Sequence, residues 1–270
     1  MPVTLITGCS SGIGLALAQA FKQAGHEVWA TARKPEDVSR LQAQGFIGRQ
    51  LDVNDETALT QLASELPHLD ILINNAGYGA MGPLLDGGVE GMRRQFETNV
   101  FSIVGVTRAL FPLLRASRGL VVNIGSVSGV LVTPFAGAYC ASKAAVHGLC
   151  DALRLELAPF GIRVMEVQPG AIDTHFASNA GREAELVISE QSAWWPLRES
   201  IRARANASQN RPTPAATFAG ELVKAVLQPK PARLVRIGNG STVLPLMERL
   251  LPKGLLDAVL KKKFGLSRSL

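Results

Sequence analysis

The sequence is poor in the residues that build disulfide frameworks and metal centres. Its 270 residues include three cysteines, Cys9, Cys140 and Cys150, an odd number without the spacing of a zinc site. We therefore expect no disulfide framework and no bound metal. Free cysteines are ordinary in a reducing compartment, which favours a cytoplasmic protein.

Long hydrophobic runs are scarce as well. The segment "LVVNIGSVSGVLV" is interrupted by Asn, Ser and Gly, so we expect no membrane-spanning helix. The first residues enter a strand-like run at once, without the basic region and cleavage site of a signal peptide. With 47% hydrophobic and 19% charged residues the chain is not of the disordered type, and its length suits one domain.

Acidic charge is scarce towards the C-terminus. Residues 200–270 hold 13 Lys and Arg against 3 Asp and Glu, whereas residues 1–199 hold 15 against 19. A basic tail on an acidic body can attract phosphate or acidic lipid, or it can be an ordinary solvated face. Zinc-finger, RRM-like and stacked-aromatic patterns are missing too, so we expect no nucleic-acid partner.

Seven β-type apolar runs alternate with helical stretches along the chain. The runs lie at residues 3–7, 26–32, 46–53, 69–75, 119–126, 162–169 and 233–238. This alternation predicts an α/β fold, a doubly wound parallel sheet with helices on both faces, in a single domain over residues 1–270. Residues 175–215 interrupt the rhythm and are long for a connection, which predicts a substrate lid or binding loop.

A glycine-rich turn follows the first predicted strand. The turn is "TGCSSGIG", in which Gly8, Gly12 and Gly14 precede a helical stretch with GxxxGxG spacing. Backbone N–H groups at a helix N-terminus bind pyrophosphate, and glycines let the ligand approach the backbone closely. The turn therefore predicts a nucleotide site.

The same letters allow a second interpretation. "GCSSG" satisfies GxSxG, the nucleophile elbow of α/β-hydrolases, with Ser10 as the nucleophile. A hydrolase elbow normally follows several strands, whereas one strand precedes this turn. The histidines that could serve Ser10 are His26, His68, His147 and His175. Because His147 sits within a helical pattern, we expect a structural role for it, and the hydrolase is the weaker alternative.

The end of the second strand indicates which dinucleotide fits. An NAD site wants an acidic residue there to hold the ribose 2′-OH. This sequence has Ala32, Arg33 and Lys34 instead. Because an arginine can pair with a 2′-phosphate, Arg33 predicts NADP(H) over NAD.

Two further strand ends carry residues suited to a cofactor. Asp52 and Val53 end the third strand, where Asp52 could accept from an adenine amino group and Val53 could pack on the ring. The fourth strand ends in "NNAG", which brings Asn75, Ala76 and Gly77 to the same carboxyl edge of the sheet.

The residues with proton-transfer chemistry are Asn99, Ser126, Tyr139 and Lys143. Tyr139 and Lys143 are four residues apart, so they share a helix face, and an ammonium group near a phenol lowers its pKa. Ser126 ends the fifth strand, where its hydroxyl could hold a carbonyl oxygen beside the phenol. Asn99 could supply polar support from the preceding helix.

Taken together, these motifs resemble the short-chain dehydrogenase/reductase family. The match consists of "TGCSSGIG", "LDV", "NNAG", "TNV", "GSVSG", "YCASK" and "VQPGAIDT", in the family's order, over about residues 3–174. The resemblance implies a Rossmann-type fold, NADP(H) as cofactor, and Asn99, Ser126, Tyr139 and Lys143 as the catalytic tetrad. The cofactor-binding positions that follow are Gly8, Ser10, Ser11, Gly12, Ile13, Gly14, Arg33, Asp52, Val53, Asn75, Ala76, Gly77, Tyr139, Lys143, Pro169, Gly170, Ile172 and Thr174.

The run "YCASKAAVHGLCDALRLELAPFGIRV" resembles a narrower group of that family. This group contains NADPH-dependent acyldihydroxyacetone-phosphate reductases, retinol dehydrogenases and 17β-hydroxysteroid dehydrogenases. The resemblance implies interconversion of an apolar or lipid-like carbonyl and its alcohol, with Tyr139 as general acid and base. It also implies a homodimer or homotetramer built on the helix that carries Tyr139. The non-enzyme alternative is a sensor that binds NADP(H) without turnover.

Two segments leave their role open. Trp194 and Trp195, in residues 175–215, predict either an apolar wall over the substrate or ordinary packing of the lid. The C-terminal segment, about residues 245–270, places Leu255, Leu256, Val259 and Leu260 on one helical stripe before Lys261–Lys263. That stripe predicts either a packed amphipathic helix or peripheral contact with a membrane.

Overall fold

The computed structural model describes residues 1–267, which form nine strands. They are β1 (Val3–Ile6), β2 (Glu27–Ala32), β3 (Ile47–Gln50), β4 (Ile71–Asn74), β5 (Leu120–Ile124), β6 (Arg163–Pro169), β7 (Ile172–Asp173), β8 (Thr213–Pro214) and β9 (Leu234–Ile237). Seven of them pair in parallel in the order β3-β2-β1-β4-β5-β6-β9. All seven predicted runs are strands of this sheet, which confirms the doubly wound α/β prediction.

The strand order reverses between β1 and β4, which are neighbours in the sheet. In open parallel sheets the connections leave in opposite directions at such a point, and a crevice forms at the carboxyl ends of the strands. Gly8 follows β1 and Asn75 follows β4 directly at this crevice. The topology therefore brings two of the predicted motifs to one place.

Eleven α-helices accompany the strands within the described residues. They are α1 (Gly12–Gln23), α2 (Pro35–Ala43), α3 (Glu56–Glu65), α4 (Leu84–Phe96), α5 (Ser102–Ser117), α6 (Gly137–Glu156), α7 (Phe176–Val187), α8 (Arg198–Ala205), α9 (Ala215–Val226), α10 (Val243–Leu250) and α11 (Lys253–Lys263). Local chemistry sets several of their ends; for example, Asp55 caps α3 by accepting hydrogen bonds from the N–H groups of Thr57 and Ala58.

The core lies in two layers, one on each face of the sheet. On one face Phe21 of α1 and Phe218 of α9 are fully buried with Ile6 of the central strand. On the other face Leu110 of α5 packs with Leu5 and other apolar residues of the sheet. Because the central strands β1, β4 and β5 are covered on both sides, they are almost continuously apolar, which is why the sequence pattern identified them.

Helices α4 and α5 join through a five-residue π-helical turn, Glu97–Phe101. By length and composition alone, the segment Leu84–Ser117 is long and apolar enough to cross a membrane. On this criterion, the prediction that the chain contains no such helix is wrong. Leu110 and Leu114 of this segment are fully buried against the sheet. The segment therefore serves the core of the fold, and core helices meet the same criterion.

The region 175–215 is more regular than a loop. It contains α7 and α8, and Arg202 of α8 joins them through an ion pair of 2.7 Å with Glu185 of α7. The short strand β8 pairs with β7 and returns the chain to the sheet edge. The sequence pattern missed these elements because α8 is only eight residues long and strongly polar.

The C-terminal segment forms α10 and α11, and residues 268–270 of the predicted 245–270 segment lie outside the described part of the chain. Leu256 is buried and Leu260 packs against the cluster around Tyr139. In contrast, Leu255 and Val259 are 53% and 46% exposed. In the predicted stripe, Leu256 and Leu260 therefore pack against the protein, whereas Leu255 and Val259 face outward.

Candidate active site

A cavity of about 500 Å³ runs along the carboxyl edge of the sheet. It is lined by every predicted cofactor-binding residue, from the glycine turn after β1 to Thr174 after β7. Ser126, Tyr139 and Lys143 line the same cavity, whereas Asn99 lies buried behind it. The structure thus brings the predicted nucleotide positions and the predicted proton-transfer residues into one site.

The glycine turn is shaped by close approach of the backbone to its neighbours. Gly8 has φ +72°, in the left-handed region, and a Cβ placed there would lie 2.9 Å from the Cα of Ala76. A Cβ on Gly14 would lie 2.3 Å from the carbonyl oxygen of Gly8. Side chains at these positions would clash with the neighbouring backbone and displace the turn, whose residues line the cavity at the N-terminus of α1, so the turn fits a pyrophosphate group.

Asn75 and Thr7 join the two strand ends that form this cradle. The Nδ2 of Asn75 donates to the carbonyl oxygens of Thr7, at 2.8 Å, and Gly8, at 3.1 Å. The Thr7 hydroxyl accepts from the backbone N–H groups of Asn75 and Ala76, each at 3.0 Å. These bonds explain why an Asn follows β4, and they hold the glycine turn at a fixed distance from the NNAG segment.

The far end of the cavity contains Arg33, Asp52 and Val53. Arg33 is exposed after β2, and its backbone carbonyl accepts a hydrogen bond of 3.0 Å from Gln50. Val53 is buried, whereas the Asp52 carboxylate accepts from the N–H of Asn54 at 3.0 Å. A free guanidinium beside an apolar surface is an arrangement that suits a phosphorylated adenosine.

Tyr139 and Lys143 project from one face near the start of α6. Both residues are buried, and the Lys143 Nζ lies 6.0 Å from the centre of the Tyr139 ring. The Nζ donates to the carbonyl oxygen of Ile124 at 2.7 Å. The Ser126 hydroxyl lies within hydrogen-bond reach of the Tyr139 phenol and accepts from the N–H of Ser128 at 3.1 Å. A phenol, a hydroxyl and an amine therefore line one cavity.

Burial is the main cause of the pKa shifts of Tyr139 and Lys143. It raises the pKa of Tyr139 to about 12, although the hydrogen bond with Ser126 acts in the opposite direction. Burial lowers the pKa of Lys143 to about 8. The expectation that Lys143 brings the Tyr139 pKa towards neutrality is therefore not met in this state, because loss of solvent outweighs the neighbouring charges. The Tyr139 phenol keeps its proton at neutral pH.

Asn99 lies in the π-helical turn between α4 and α5, a feature that is often found at functional sites. Its Oδ1 accepts from the Tyr78 N–H at 3.0 Å, and its Nδ2 donates to the Tyr78 carbonyl oxygen at 2.9 Å and to Ser142 at 3.1 Å. A Cβ on Gly77 would lie 3.0 Å from Asn99 Oδ1 and 3.8 Å from Lys143 Nζ. Asn99 thus fixes the chain beside Lys143 and lies near its amine.

Comparison with known proteins decides the family. A family model described as short chain dehydrogenase matches residues 2–185. The chain belongs to the short-chain dehydrogenase family. A short-chain dehydrogenase/reductase of Pestalotiopsis microspora is 33% identical over 265 residues, 97% of this chain and 93% of the relative.

Two further similar proteins carry a cofactor in their descriptions. One is an NADPH-dependent 1-acyldihydroxyacetone phosphate reductase of Schizosaccharomyces pombe, 36% identical over 204 residues, which are 73% of this chain and 69% of that protein. The other is a crystal structure of a short chain dehydrogenase of Burkholderia cenocepacia in complex with NADP. Its TM-score is 0.71 at 26% identity, with 96% of this chain and 97% of that chain covered.

The histidines of this short-chain dehydrogenase give Ser10 no hydrolase triad. His26 accepts or donates a hydrogen bond of 2.8 Å with Thr4 in β1, and His68 lies 3.3 Å from Asp70 before β4. His147 is half-buried, and loss of solvent lowers its pKa to about 4, so its ring is neutral at pH 7. His175 lines the cavity, but no hydrogen bond joins it to Ser10 among the residues that the structure describes.

Several cavity residues had no signal in the sequence. The apolar ones are Tyr78, Met81, Leu131 and Phe264, and the charged ones are Arg204 of α8 and Lys263 of α11. Tyr78 and Met81 lie between β4 and α4 and Leu131 between β5 and α6, whereas Arg204, Lys263 and Phe264 reach the cavity through the packing of α8 and α11. Trp194 and Trp195 are not among the described residues that line this cavity, and both pack against the apolar cluster that contains Tyr139. This contact favours the packing alternative, and the substrate wall stays a prediction.

Proposed function

We propose that this chain is an NADP(H)-dependent oxidoreductase that interconverts a ketone or aldehyde and the corresponding alcohol, with Tyr139 as the general acid and base. The observation that carries the proposal is the convergence of the Tyr139 phenol, the Ser126 hydroxyl and the Lys143 amine in the cavity that the glycine turn opens into. The family supports the reaction class, since its members are named as dehydrogenases and reductases.

NADP(H) fits the residues that line the cavity. The glycine turn would hold the pyrophosphate and Arg33 the 2′-phosphate, with Asp52 and Val53 at the adenine. The Schizosaccharomyces relative is named as NADPH-dependent, and the Burkholderia structure contains NADP, which supports the same choice here. Pro169, Gly170, Ile172 and Thr174 would meet the nicotinamide side. When bound, NADPH supplies the hydride that a carbonyl carbon accepts.

The chain's own residues perform the proton chemistry. Ser126 donates a hydrogen bond to the substrate carbonyl oxygen and so holds it beside Tyr139. Tyr139 donates its proton to that oxygen as negative charge develops there. Because burial raises the Tyr139 pKa to about 12, the phenol is protonated at neutral pH and ready for the reductive direction. Lys143 would hold the nicotinamide ribose hydroxyls of a bound cofactor and, with a substrate in place, would favour the phenolate that remains. Asn99 supports Lys143 from the π-helical turn.

The proposed lid, residues 175–215, supplies the substrate side of the cavity. Phe176 at the start of α7 packs on Tyr139 with ring centres 5.4 Å apart. Met81 and Phe264 add apolar surface from other segments. This lining supports a substrate with an apolar, lipid-like part.

We further propose that the chain self-associates through α5 and α6, as a homodimer or homotetramer. Phe101, Val104 and Leu155 are 54%, 44% and 66% exposed at or beside these helices. An interface would remove this apolar surface from water. Light scattering on the purified protein measures the mass, and a monomer would contradict the proposal.

Peripheral membrane contact of a cytoplasmic enzyme is also supported by the exposed side of the C-terminal segment. Leu246 and Leu250 of α10 are 49% and 66% exposed, and the outward Leu255 and Val259 follow on α11 before Lys261–Lys263. Apolar residues beside lysines suit an anionic lipid surface. Co-sedimentation with anionic liposomes tests the contact: Leu246→Glu and Leu250→Glu should release the protein, and equal binding would remove the idea.

The reaction class is tested by NADPH oxidation against a panel of ketones and aldehydes. Turnover with at least one carbonyl is expected, with NADPH preferred over NADH. NADPH binding without any turnover would instead support the sensor alternative, and ester hydrolysis lost in Ser10→Ala would support the hydrolase.

A further inference from the structure

The substrate end of the cavity holds positive charge that the proposed reaction does not use. The charged residues lining the cavity are Arg33, Asp52, Lys143, Arg204 and Lys263. Arg33 and Asp52 belong to the adenine end, and Lys143 to the catalytic group. Asp52 is the one carboxylate that lines the cavity among the described residues, so Arg204 and Lys263 face a space without a negative group.

Arg204 is the more informative of the two because it is buried. Its exposed fraction is 9%, and its Nε donates to the Thr133 hydroxyl at 2.7 Å. Over residues 1–267 its other side-chain hydrogen-bond partner is the Cys140 thiol, a weak acceptor, and no carboxylate lies within ion-pair distance. A buried guanidinium normally pairs with an anion, since burial of an unpaired charge is costly.

The surroundings of Arg204 place it on the substrate side of Tyr139. Its guanidinium interacts electrostatically with the Tyr139 phenol and with the thiol of Cys140, the next residue on α6. Phe264, which also lines the cavity, packs in the same cluster as Tyr139 and Cys140. An anion held by Arg204 would therefore lie close to the carbonyl that Tyr139 protonates.

A second polar group in residues 175–215, the Ser208 hydroxyl, also supports a binding site for an anion. Ser208 lines the cavity four residues after Arg204, and its buried hydroxyl has no hydrogen-bond partner within the described chain. A buried hydroxyl is ordinarily paired, so this one lacks a partner that a bound polar group could supply. Residues 175–215 thus present to the cavity a guanidinium without a carboxylate partner and a hydroxyl without a hydrogen-bond partner among residues 1–267.

We propose that Arg204 is a specificity residue that binds an anionic group, a carboxylate or a phosphate, of the carbonyl substrate. The proposal rests on the proposed reductase function and refines it: the substrate combines an apolar part with one negative group near the carbonyl. Arginine suits this role because its planar fork donates two parallel hydrogen bonds to carboxylate or phosphate oxygens. Lys263, exposed at the cavity wall, adds favourable charge for the approach of such a substrate.

The experiment compares charged and uncharged carbonyl compounds of matched skeleton. The pairs are 2-oxobutanoate with its methyl ester, and dihydroxyacetone phosphate with dihydroxyacetone. The variants are Arg204→Met, Arg204→Lys and, as a matched control on the same helix, Arg202→Gln, whose guanidinium pairs with Glu185 and Glu199 outside the cavity. The measurements are kcat/KM for each compound, the Kd for NADPH, and protection from thermal unfolding by each compound with NADPH present.

We expect the wild-type chain to show a higher kcat/KM for the anion than for its neutral partner in at least one pair. Whether this is the 2-oxobutanoate pair or the dihydroxyacetone phosphate pair shows whether the site prefers a carboxylate or a phosphate. Arg204→Met should lower kcat/KM for this anion at least about tenfold while the neutral partner and the Kd for NADPH stay unchanged. Arg204→Lys should recover part of the loss, and Arg202→Gln should keep the preference. Equal losses for both members of a pair, weaker NADPH binding in Arg204→Met, or no preference for either anion would overturn the proposal.

Failure of the reductase function itself would look different. In that case no carbonyl of the panel is turned over, and the thermal measurement still decides the role of Arg204. Stabilisation by the anion but not by its neutral partner, lost in Arg204→Met, supports the anion site. Equal stabilisation of both proteins, or none, contradicts it.

Discussion

Gly8 and Gly25 form a natural pair for testing the architecture of the glycine turn. Both have left-handed backbone conformations, φ +72° at Gly8 and φ +84° at Gly25. A Cβ on Gly25 would meet nothing within 4 Å, whereas a Cβ on Gly8 would lie 2.9 Å from the backbone of Ala76. Substitution by alanine therefore imposes the same conformational cost at both positions and a steric cost at Gly8 alone.

The magnitudes follow from these two differences. A non-glycine residue in the left-handed region costs about 1–2 kcal/mol, so Gly25→Ala should lower the free energy of unfolding by that amount. Overpacking against a fixed backbone adds about 1–3 kcal/mol, and Gly8→Ala should therefore lose about 2–5 kcal/mol. Because relief of the contact would push the turn away from Ala76 in the NNAG segment, NADPH affinity should fall in Gly8→Ala and stay unchanged in Gly25→Ala.

Urea unfolding gives the free energies, and quenching or enhancement of NADPH fluorescence gives the Kd. Equal losses of stability in the two variants, together with unchanged NADPH affinity in Gly8→Ala, would refute the steric reasoning. A loss of affinity in Gly25→Ala would show that stability alone controls the binding.

Two other predictions concern cofactor choice and proton affinity. Arg33→Ala should reduce the preference for NADPH over NADH by about tenfold, which is the contribution of one charge-assisted hydrogen bond at an exposed site. Lys34→Ala, the control, should keep the wild-type preference. Equal ratios of kcat/KM for NADPH to kcat/KM for NADH in the two variants would contradict this prediction. In a spectroscopic pH titration, tyrosinate should form only well above the ordinary pKa of about 10, because burial raises the pKa of both Tyr78 and Tyr139. The folded chain binds these protons more tightly than the unfolded chain, so the free energy of unfolding should fall as the pH rises above about 10. Formation of tyrosinate at the ordinary pKa would contradict the burial of the two phenols.

The sheet could be predicted because its central strands are short, almost continuously apolar runs. Each run such as that around Leu72 is covered on both faces, and short apolar runs between helical stretches are the direct consequence of this burial. The strand-end residues were also predictable. Asn75 and Arg33 come immediately after strands, and parallel strands bring their carboxyl ends to one edge regardless of how the rest of the chain packs.

The substrate side could not be predicted in the same way. Arg204 meets Thr133, which is 71 residues away in sequence, through packing of α8 over the carboxyl edge. No periodicity marks such a contact, and an isolated arginine in a polar stretch has the pattern of a surface residue. The sequence left two roles open for Trp194 and Trp195 for a related reason, because two neighbouring tryptophans are as suitable for packing a lid as for covering a substrate.

The pKa values of Tyr139 and Lys143 could not be predicted from the sequence either. The spacing of Tyr139 and Lys143 gives their shared helix face but not their burial, which depends on the residues packed around them. The Lys143 amine donates to the Ile124 carbonyl, and its own pKa is lowered by the same loss of solvent. The shift in Tyr139 therefore has the direction that burial imposes and not the one that an isolated ion pair would give.

The central claim, that the Tyr139 phenol delivers the proton in carbonyl reduction, is tested most directly by Tyr139→Phe. The substitution removes the hydroxyl and keeps the buried ring that packs on Phe176. With a carbonyl that the wild-type chain reduces, we predict a loss in kcat of about 100- to 10,000-fold with an unchanged Kd for NADPH. Turnover near the wild-type rate would contradict the account.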